Sequence, residues 1–341
     1  MTIKVGITGF GTIGKRVAEA IGLQNDMCLK GVVFRNLNIG ALTARLKGMP
    51  IYLDNDAILK EFIKAGVQPL GNLTDLLMEI DIMVDCTPRG QAEKNLPLYK
   101  RYNIPVILQG GEKDELGLTF NSFINMDAVK CNQVIRIASC NTTGIVRILF
   151  ALFKEIDMDH VFVSLVRCAS DPDKGSKGIV NGLGITSEKS HHAQDVQLLL
   201  PDVHIYTKAV AAPMTHGHIL FFSIDIRSEC SEETLIKRMN EHPRLIVLPG
   251  LHSHSTSTIE AFFSNRKRRD RPYAVLLEDS IEIIGNKLFF IASIHMESIV
   301  IPETIDCIRA KFSDMNASDI IMMTDHSMHM DKETEAYKNL L

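Results

Sequence analysis

Cys140 stands at a junction in the stretch IRIASCNTTGIVRILFALF, Ile135 to Phe153, between a short β-type run and an apolar pattern with helical spacing. Asn141, Thr142 and Thr143 are residue types that start helices. A thiol at a helix N-terminus is expected to have a lowered pKa, because the helix dipole favours thiolate, the nucleophilic form. The position therefore predicts a covalent nucleophile. Such a nucleophile needs a base. The segment APMTHGHILFF offers His216 and His218, which alternate in a run of strand type, so both are expected on one side. A long polar, glycine-rich loop, VRCASDPDKGSKGIVNGLGITSEKSHHAQDV, opens after Arg167 and closes on His191 and His192. Arg and His side chains suit a clamp for a phosphate. The alternative for this loop is a solvated surface segment.

A second constellation is Gly9-Phe10-Gly11-Thr12-Ile13-Gly14, a G-x-G-x-x-G pattern between the strand-like IKVGIT and a helical run. Gly9 suits the tight turn, Gly11 a close backbone approach to a pyrophosphate, and Gly14 close helix–strand packing. The helix N-terminus adds N–H donors and a positive dipole end. The next strand ends VVFRNLN, with Arg35 and Asn36 but no Asp or Glu. A carboxylate there would repel a 2′-phosphate, whereas Arg binds one bidentately, so NADP is expected alongside NAD. The alternative is that Arg35 is an ordinary surface residue. DCTPRG, which contains Pro88, and LQGGEK, which contains Gly110 and Gly111, follow later strands. Both fall at C-terminal strand ends, where an open α/β sheet binds its ligand.

The elements that must carry these residues follow from periodicity. In the first third, IKVGIT, LKGVVF, the end of DLLMEIDIMVDCT, IPVILQGG and VIRIASC read as apolar strands alternating with helical segments. That alternation predicts an α/β fold: a Rossmann-type, doubly wound parallel sheet buried on both faces. After the helix that follows Cys140, HVFVSLVRCAS, VHIYTKAVAAP, HILFFSIDI, YAVLLEDSIEIIG and KLFFIASIHM are long strands joined by loops or turns. They predict an α+β domain with a mostly antiparallel or mixed sheet. ETIDCIRAKF is helical, and Pro302 before it suits a first-turn position.

Composition sets the outer limits. The chain has 341 residues, 45% hydrophobic and 23% charged, enough for two domains with real cores. Its net charge of −4 gives no general attraction to nucleic acid or to an anionic membrane. The run NRKRRDRP is basic, but a solvated helix end explains it better than a nucleic-acid patch. Neither a secretory signal nor a membrane-spanning run is expected. Cys28, Cys86, Cys131, Cys140, Cys168, Cys230 and Cys307 are scattered, and no C-x-x-C pair occurs. A disulfide framework and a metal site are therefore not expected, and a reducing cytoplasm fits.

Taken together, GFGTIGKRVAEAI, DCTPRG, LQGGEK, ASCNTTG, HHAQDV, the Pro213-to-His218 segment and HMESIVIPETIDCIRA resemble the archaeal-type phosphorylating glyceraldehyde-3-phosphate dehydrogenases. The resemblance runs through nearly the whole chain. It implies oxidation of a small phosphorylated aldehyde by NAD(P)+ through a cysteine thioester, followed by attack of inorganic phosphate. Cys140 matches the nucleophile and His218 the base, with Ser139 and Asn141 flanking the thiol. Thr142 and Arg167 join the substrate site, and His191 and His192 match substrate phosphate contacts. Thr12, Ile13 and Gly110 match cofactor contacts, and local spacing adds Gly111 as a candidate. It also implies a homotetramer and a C-terminal helix that returns to the cofactor domain. That makes residues 1–139 plus 300–341 the NAD(P)-binding domain and 140–299 the catalytic domain. Two positions depart from the family: Cys168 stands where a second arginine is usual after Arg167, and Met296 where glutamine is usual. Those departures keep two other readings open: a dehydrogenase of another aldehyde or semialdehyde, and a non-catalytic paralogue.

Overall fold

A computed structural model describes residues 2–109, 111–153, 155–168, 183–185, 190–249, 255–263 and 266–338. The chain divides into two compact units, Met1–Ala138 with Ile301–Met328, and Ser139–Val300 with His329–Leu341.

The first unit is built on eight strands: β1 (Ile3–Thr8), β2 (Met27–Phe34), β3 (Ile51–Leu53), β4 (Gly71–Asn72), β5 (Ile82–Asp85), β6 (Val106–Leu108), β7 (Leu118–Phe120) and β8 (Val134–Ile137). They form one sheet in the order β4-β3-β2-β1-β5-β6-β8-β7, with every pairing parallel. Its helices are α1 (Thr12–Ile21), α2 (Ile39–Leu46), α3 (Leu59–Lys64), α4 (Leu73–Leu77) and α5 (Ala92–Arg101). Val5, Ile7, Val32, Ile82, Val84, Ile107 and Ile135 are wholly buried, as strands covered on both faces require. This is the expected doubly wound parallel sheet. Chain order reverses between β1 and β5, so the loops after these two strands lie at the switch point where such sheets bind ligands.

The second unit opens with α6 (Cys140–Leu152). It then carries β9 (Met158–Cys168), β10 (Gly184–Ile185), α7 (His191–Leu199), β11 (His204–Ala212), β12 (Gly217–Ile226), α8 (Glu232–Glu241), β13 (Leu245–Leu248), α9 (Thr256–Phe262), β14 (Ala274–Ile284) and β15 (Lys287–His295). The sheet order is β10-β11-β9-β12-β15-β14-β13. Two pairings, β11 with β9 and β13 with β14, are parallel and the other four antiparallel, the mixed sheet expected. In β9 the side chains alternate: Val161, Val163 and Leu165 are buried, while His160 and Phe162 are exposed. Helix α6 lies deep in this unit. Its Arg147 is fully buried and donates to the carbonyls of Pro272 (2.7 Å) and Ile299 (2.9 Å). One turn earlier, a Cβ on Gly144 would stand 2.4 Å from Cδ1 of Ile294 on β15.

The chain ends with α10 (Ile301–Phe312), α11 (Ala317–Ser327) and α12 (Met330–Lys338). Arg309 ties α10 to the first unit, donating to Asp26 (2.7 and 2.9 Å) and to Gln24 (2.7 Å). The tail does not stay there as one piece, as the sequence reading had it. Residues from His329 onward cluster with the second unit. Their attachment is aromatic and ionic: the Tyr337 ring lies 4.8 Å from Phe263 and 5.2 Å from Phe262, and Glu333 meets Arg266 and Tyr273.

Candidate active site

In the first unit, Gly9 has φ +87°, and a Cβ there would lie 2.7 Å from the Cys86 backbone. A Cβ on Gly14 would lie 2.0 Å from the carbonyl oxygen of Gly9. Both positions exclude any side chain. Gly11 is different: it caps α1, nothing lies within 4 Å of its added Cβ, and no side chain bonds the helix start. The first-turn N–H groups beside Thr12 and Ile13 therefore face an open approach, which suits a dinucleotide pyrophosphate.

Pro88 is exposed just beyond β5. Glu112 accepts the Gly90 N–H on both carboxylate oxygens (2.8 and 3.0 Å), joining the loop that carries Pro88 to the one that carries Gly111, whose φ is +71°. Gly110 lies outside the described residues. Asn36 accepts from the Asn38 side chain at 3.1 Å. Arg35 is held by two partners, Asp54 and Asn95.

The candidate nucleophile and its histidine come together in the second unit. Cys140 is the first residue of α6, and its Sγ is 3.4 Å from Nε2 of His218 on β12. His218 is buried, and its Nδ1 accepts the backbone N–H of Cys168 at 2.9 Å. With that nitrogen occupied as an acceptor, the neutral ring carries its proton on Nε2 and presents it to the sulfur. Burial first, and the Arg167 guanidinium second, hold His218 down at about 3. It is a neutral donor at ordinary pH.

The thiol departs from expectation. Burial, and then the Glu297 carboxylate, push Cys140 up to about 12. The amides of Asn141 and Cys140 and the Arg167 charge act in the opposite direction but are outweighed. The helix N-terminus is where the sequence put it, yet desolvation dominates.

His216 also departs. β12 begins only at Gly217, and His216 stands before it with φ +69°. Its neighbours are Thr215, hydroxyl to Nδ1 at 2.9 Å, and His295, rings 6.2 Å apart. The alternation that would bring both histidines to one face does not exist.

His192, at the start of α7, is buried against the loop that holds the thiol. Its Nδ1 is 3.2 Å from Ser139 Oγ and its Nε2 is 3.4 Å from Asn141 Nδ2. Ser139 caps α6 and bonds both the N–H (3.3 Å) and the hydroxyl (2.9 Å) of Thr142. Burial, then His191, Arg167 and His218, lower His192 well below its usual value. It is therefore a neutral support for Ser139 and Asn141 rather than a cation. His191 is exposed, with its ring 4.1 Å from that of His192. Arg167 Nε, Asn141 Oδ1 and Ser190 Oγ are buried with no hydrogen-bond partner among the described residues. Most of the loop between Arg167 and His191 lies outside those residues.

Sequence reading missed the Cys168 amide, because a backbone donor leaves no residue-type signal. It also missed Glu297, although HMESIV follows a strand that pairs with that of His218. Among the described residues no group of three His, Cys, Asp or Glu is arranged to hold a metal ion, and no helix is long and apolar enough to cross a membrane.

The chain is similar to known proteins along almost its whole length. The family described as glyceraldehyde 3-phosphate dehydrogenase, C-terminal domain, matches residues 139–259. The glyceraldehyde-3-phosphate dehydrogenase of Aeropyrum pernix is 36% identical over 337 residues, covering 97% of this chain and 98% of its own. That of Sulfolobus acidocaldarius is 37% identical with the same coverage, and that of Thermococcus kodakarensis 36%, covering 96% and 99%. With such identity along almost its whole length, the chain belongs to the glyceraldehyde-3-phosphate dehydrogenase family.

Proposed function

We propose that this protein catalyses the reversible, phosphorylating oxidation of D-glyceraldehyde 3-phosphate to 1,3-bisphosphoglycerate. The observation that carries the reading is the 3.4 Å contact between Cys140 Sγ and a His218 Nε2 that bears the proton.

The thiol first loses its proton to solvent, and the thiolate attacks the aldehyde carbon. The carbonyl oxygen becomes an alkoxide, which the Nε2–H of His218 stabilises by hydrogen bonding. One such buried donor is worth roughly 10²–10³ in rate. The dinucleotide held at the glycine loop of the first unit would supply the hydride acceptor; loss of hydride from the hemithioacetal carbon leaves a thioester on Cys140. Phosphate oxygen then attacks the thioester carbon, and Cys140 departs as thiolate, giving the acyl phosphate. Arg167 supplies positive potential, and His191 and the uncapped start of α7 supply N–H groups, for the anionic substrate, while Thr142, buried with its N–H and hydroxyl on Ser139, holds the end of α6. Ser139, Asn141 and His192 keep the thiol end of α6 in register. Gly9, Gly11, Thr12, Ile13, Gly14, Pro88, Gly110 and Gly111 form the dinucleotide cradle, with Arg35 and Asn36 at its ribose end.

Initial rates with glyceraldehyde 3-phosphate, with NAD+ and NADP+, each with and without phosphate, test this. Phosphate-dependent turnover is expected. A panel of other aldehydes in the same assay decides between this substrate and a related semialdehyde.

A homotetramer in the cytoplasm completes the reading. Phe162, Tyr206 and Phe221 are 41%, 59% and 43% exposed on neighbouring strands of the second sheet, an apolar face suited to another copy. All seven cysteines are free, as a reducing compartment allows. Light scattering on the purified protein reads the oligomeric state.

A further inference from the structure

Arg35 leaves the end of β2 and Asp54 leaves the end of β3. The N–H of Asp54 donates to the carbonyl of Phe34 at 2.8 Å, so the backbone itself fixes Asp54 beside Arg35. Their side chains pair, Nε to Oδ1, at 3.5 Å. On its other side the guanidinium donates from Nη2 to Asn95 Oδ1 at 3.1 Å, and Asn95 is anchored by Asp85 at 2.8 Å. Arg35 is thus oriented from two sides while 40% of its side chain stays exposed. It is not a loose surface residue, and it is not a free cation.

The end of the second strand is where a doubly wound sheet meets the adenosine ribose. A 2′-phosphate arriving there needs the guanidinium that Asp54 already engages, and it meets the Asp54 charge as well. A plain 2′-hydroxyl meets neither conflict. We propose that Asp54 is a specificity-determining residue, whose carboxylate competes with the 2′-phosphate of NADP for Arg35 and so keeps NAD in use. This rests on the dinucleotide reading of the first unit and adds the group that sets the choice between its two cofactors.

Binding of each cofactor alone, without aldehyde, isolates this role from catalysis. The chain has no tryptophan, so calorimetry is the direct readout. Asp54→Asn keeps the shape and removes the charge. It is expected to tighten NADP+ by about three- to ten-fold, the size of one charge about 5 Å away near water, and to leave NAD+ nearly unchanged. Arg35→Gln is expected to weaken NADP+ selectively, and Asp54→Glu to keep the wild-type preference. If Asp54 merely orients Arg35, Asp54→Asn weakens NADP+ instead, and that result, or an unchanged ratio of the two affinities, overturns the proposal alone. A wild-type protein that binds neither cofactor overturns the dinucleotide reading and this proposal with it.

Discussion

The backbone N–H of Cys168 donates to Nδ1 of His218 at 2.9 Å, and this one bond decides what His218 does. It leaves Nε2 carrying the proton toward Cys140, which places the ring to act as a donor to the thiolate and alkoxide of the proposed reaction. Burial and Arg167 act in the same direction, against the imidazolium.

The first prediction follows from that tautomer. Since His218 is held at about 3, its ring should show no titration between roughly pH 5 and 9, where an ordinary histidine passes through its pKa near 6.5. Proton–nitrogen NMR of the ring reads this directly. His218→Ala should lower kcat by about 10²–10³, the worth of one buried donor. His218→Gln, which can still offer an N–H near the same place, should lose less. Equal losses, or a ring that titrates near neutrality, would contradict the donor role.

The thiol gives a second prediction with the opposite sign. A group raised to about 12 is mostly protonated at neutral pH, and its thiolate fraction grows with each unit of pH. Alkylation of Cys140 by iodoacetamide should therefore climb about tenfold per pH unit from 6 to 9 without levelling off. Because the Glu297 carboxylate helps to raise the thiol, Glu297→Gln should speed alkylation at fixed pH. Peptide mapping keeps the count on Cys140 and off the other cysteines. A plateau near neutrality would restore the low-pKa thiol that helix position alone predicts.

The contrast shows where sequence reading stops. Gly9 and Gly14 were legible because a turn and a packing contact each demand a glycine within a few residues of one another. Cys140 was legible as a junction between a strand and a helix. Its ionisation was not, because desolvation and Glu297 act through space from elements far along the chain. His216 misled because strand alternation holds only inside a strand, and the left-handed turn at His216 ends that rule one residue before His218. The last helix misled because its anchors, Phe262, Phe263, Arg266 and Tyr273, are ordinary residues until Tyr337 and Glu333 meet them.

Gly144 carries a third prediction. It sits one turn after Cys140 on the same helix, where an added methyl would come within 2.4 Å of buried Ile294. Gly144→Ala must push α6 off β15 or displace that side chain, at a cost of about 1–3 kcal/mol. Cys140 moves with the helix, so the sulfur–imidazole contact should open and kcat should fall more than KM changes. Adding Ile294→Val, which removes the clashing methyl, should recover part of both stability and kcat. Denaturant midpoints and steady-state rates on the single and double variants check this. An active, fully stable Gly144→Ala would mean that α6 is not seated as tightly as Arg147 and Gly144 imply.

The departures at Cys168 and Met296 lead to the last prediction. The two sulfurs touch each other, 3.2 Å apart, and the backbone N–H of Cys168 meets His218. What His218 receives from position 168 is a backbone N–H, which any residue but proline supplies. The side chain there should therefore matter little to the proton on Nε2. Cys168→Ser and Cys168→Ala should keep the flat His218 titration and a kcat within about two-fold of wild type, with a stability loss of about 1 kcal/mol or less for the sulfur contact. Measured with ring NMR, initial rates and thermal unfolding on the same samples, a large kcat loss with unchanged folding would give the Cys168 thiol a role of its own. The expected result instead leaves the chain catalytically competent despite its unusual residue, which argues against the non-catalytic reading that those two positions first suggested.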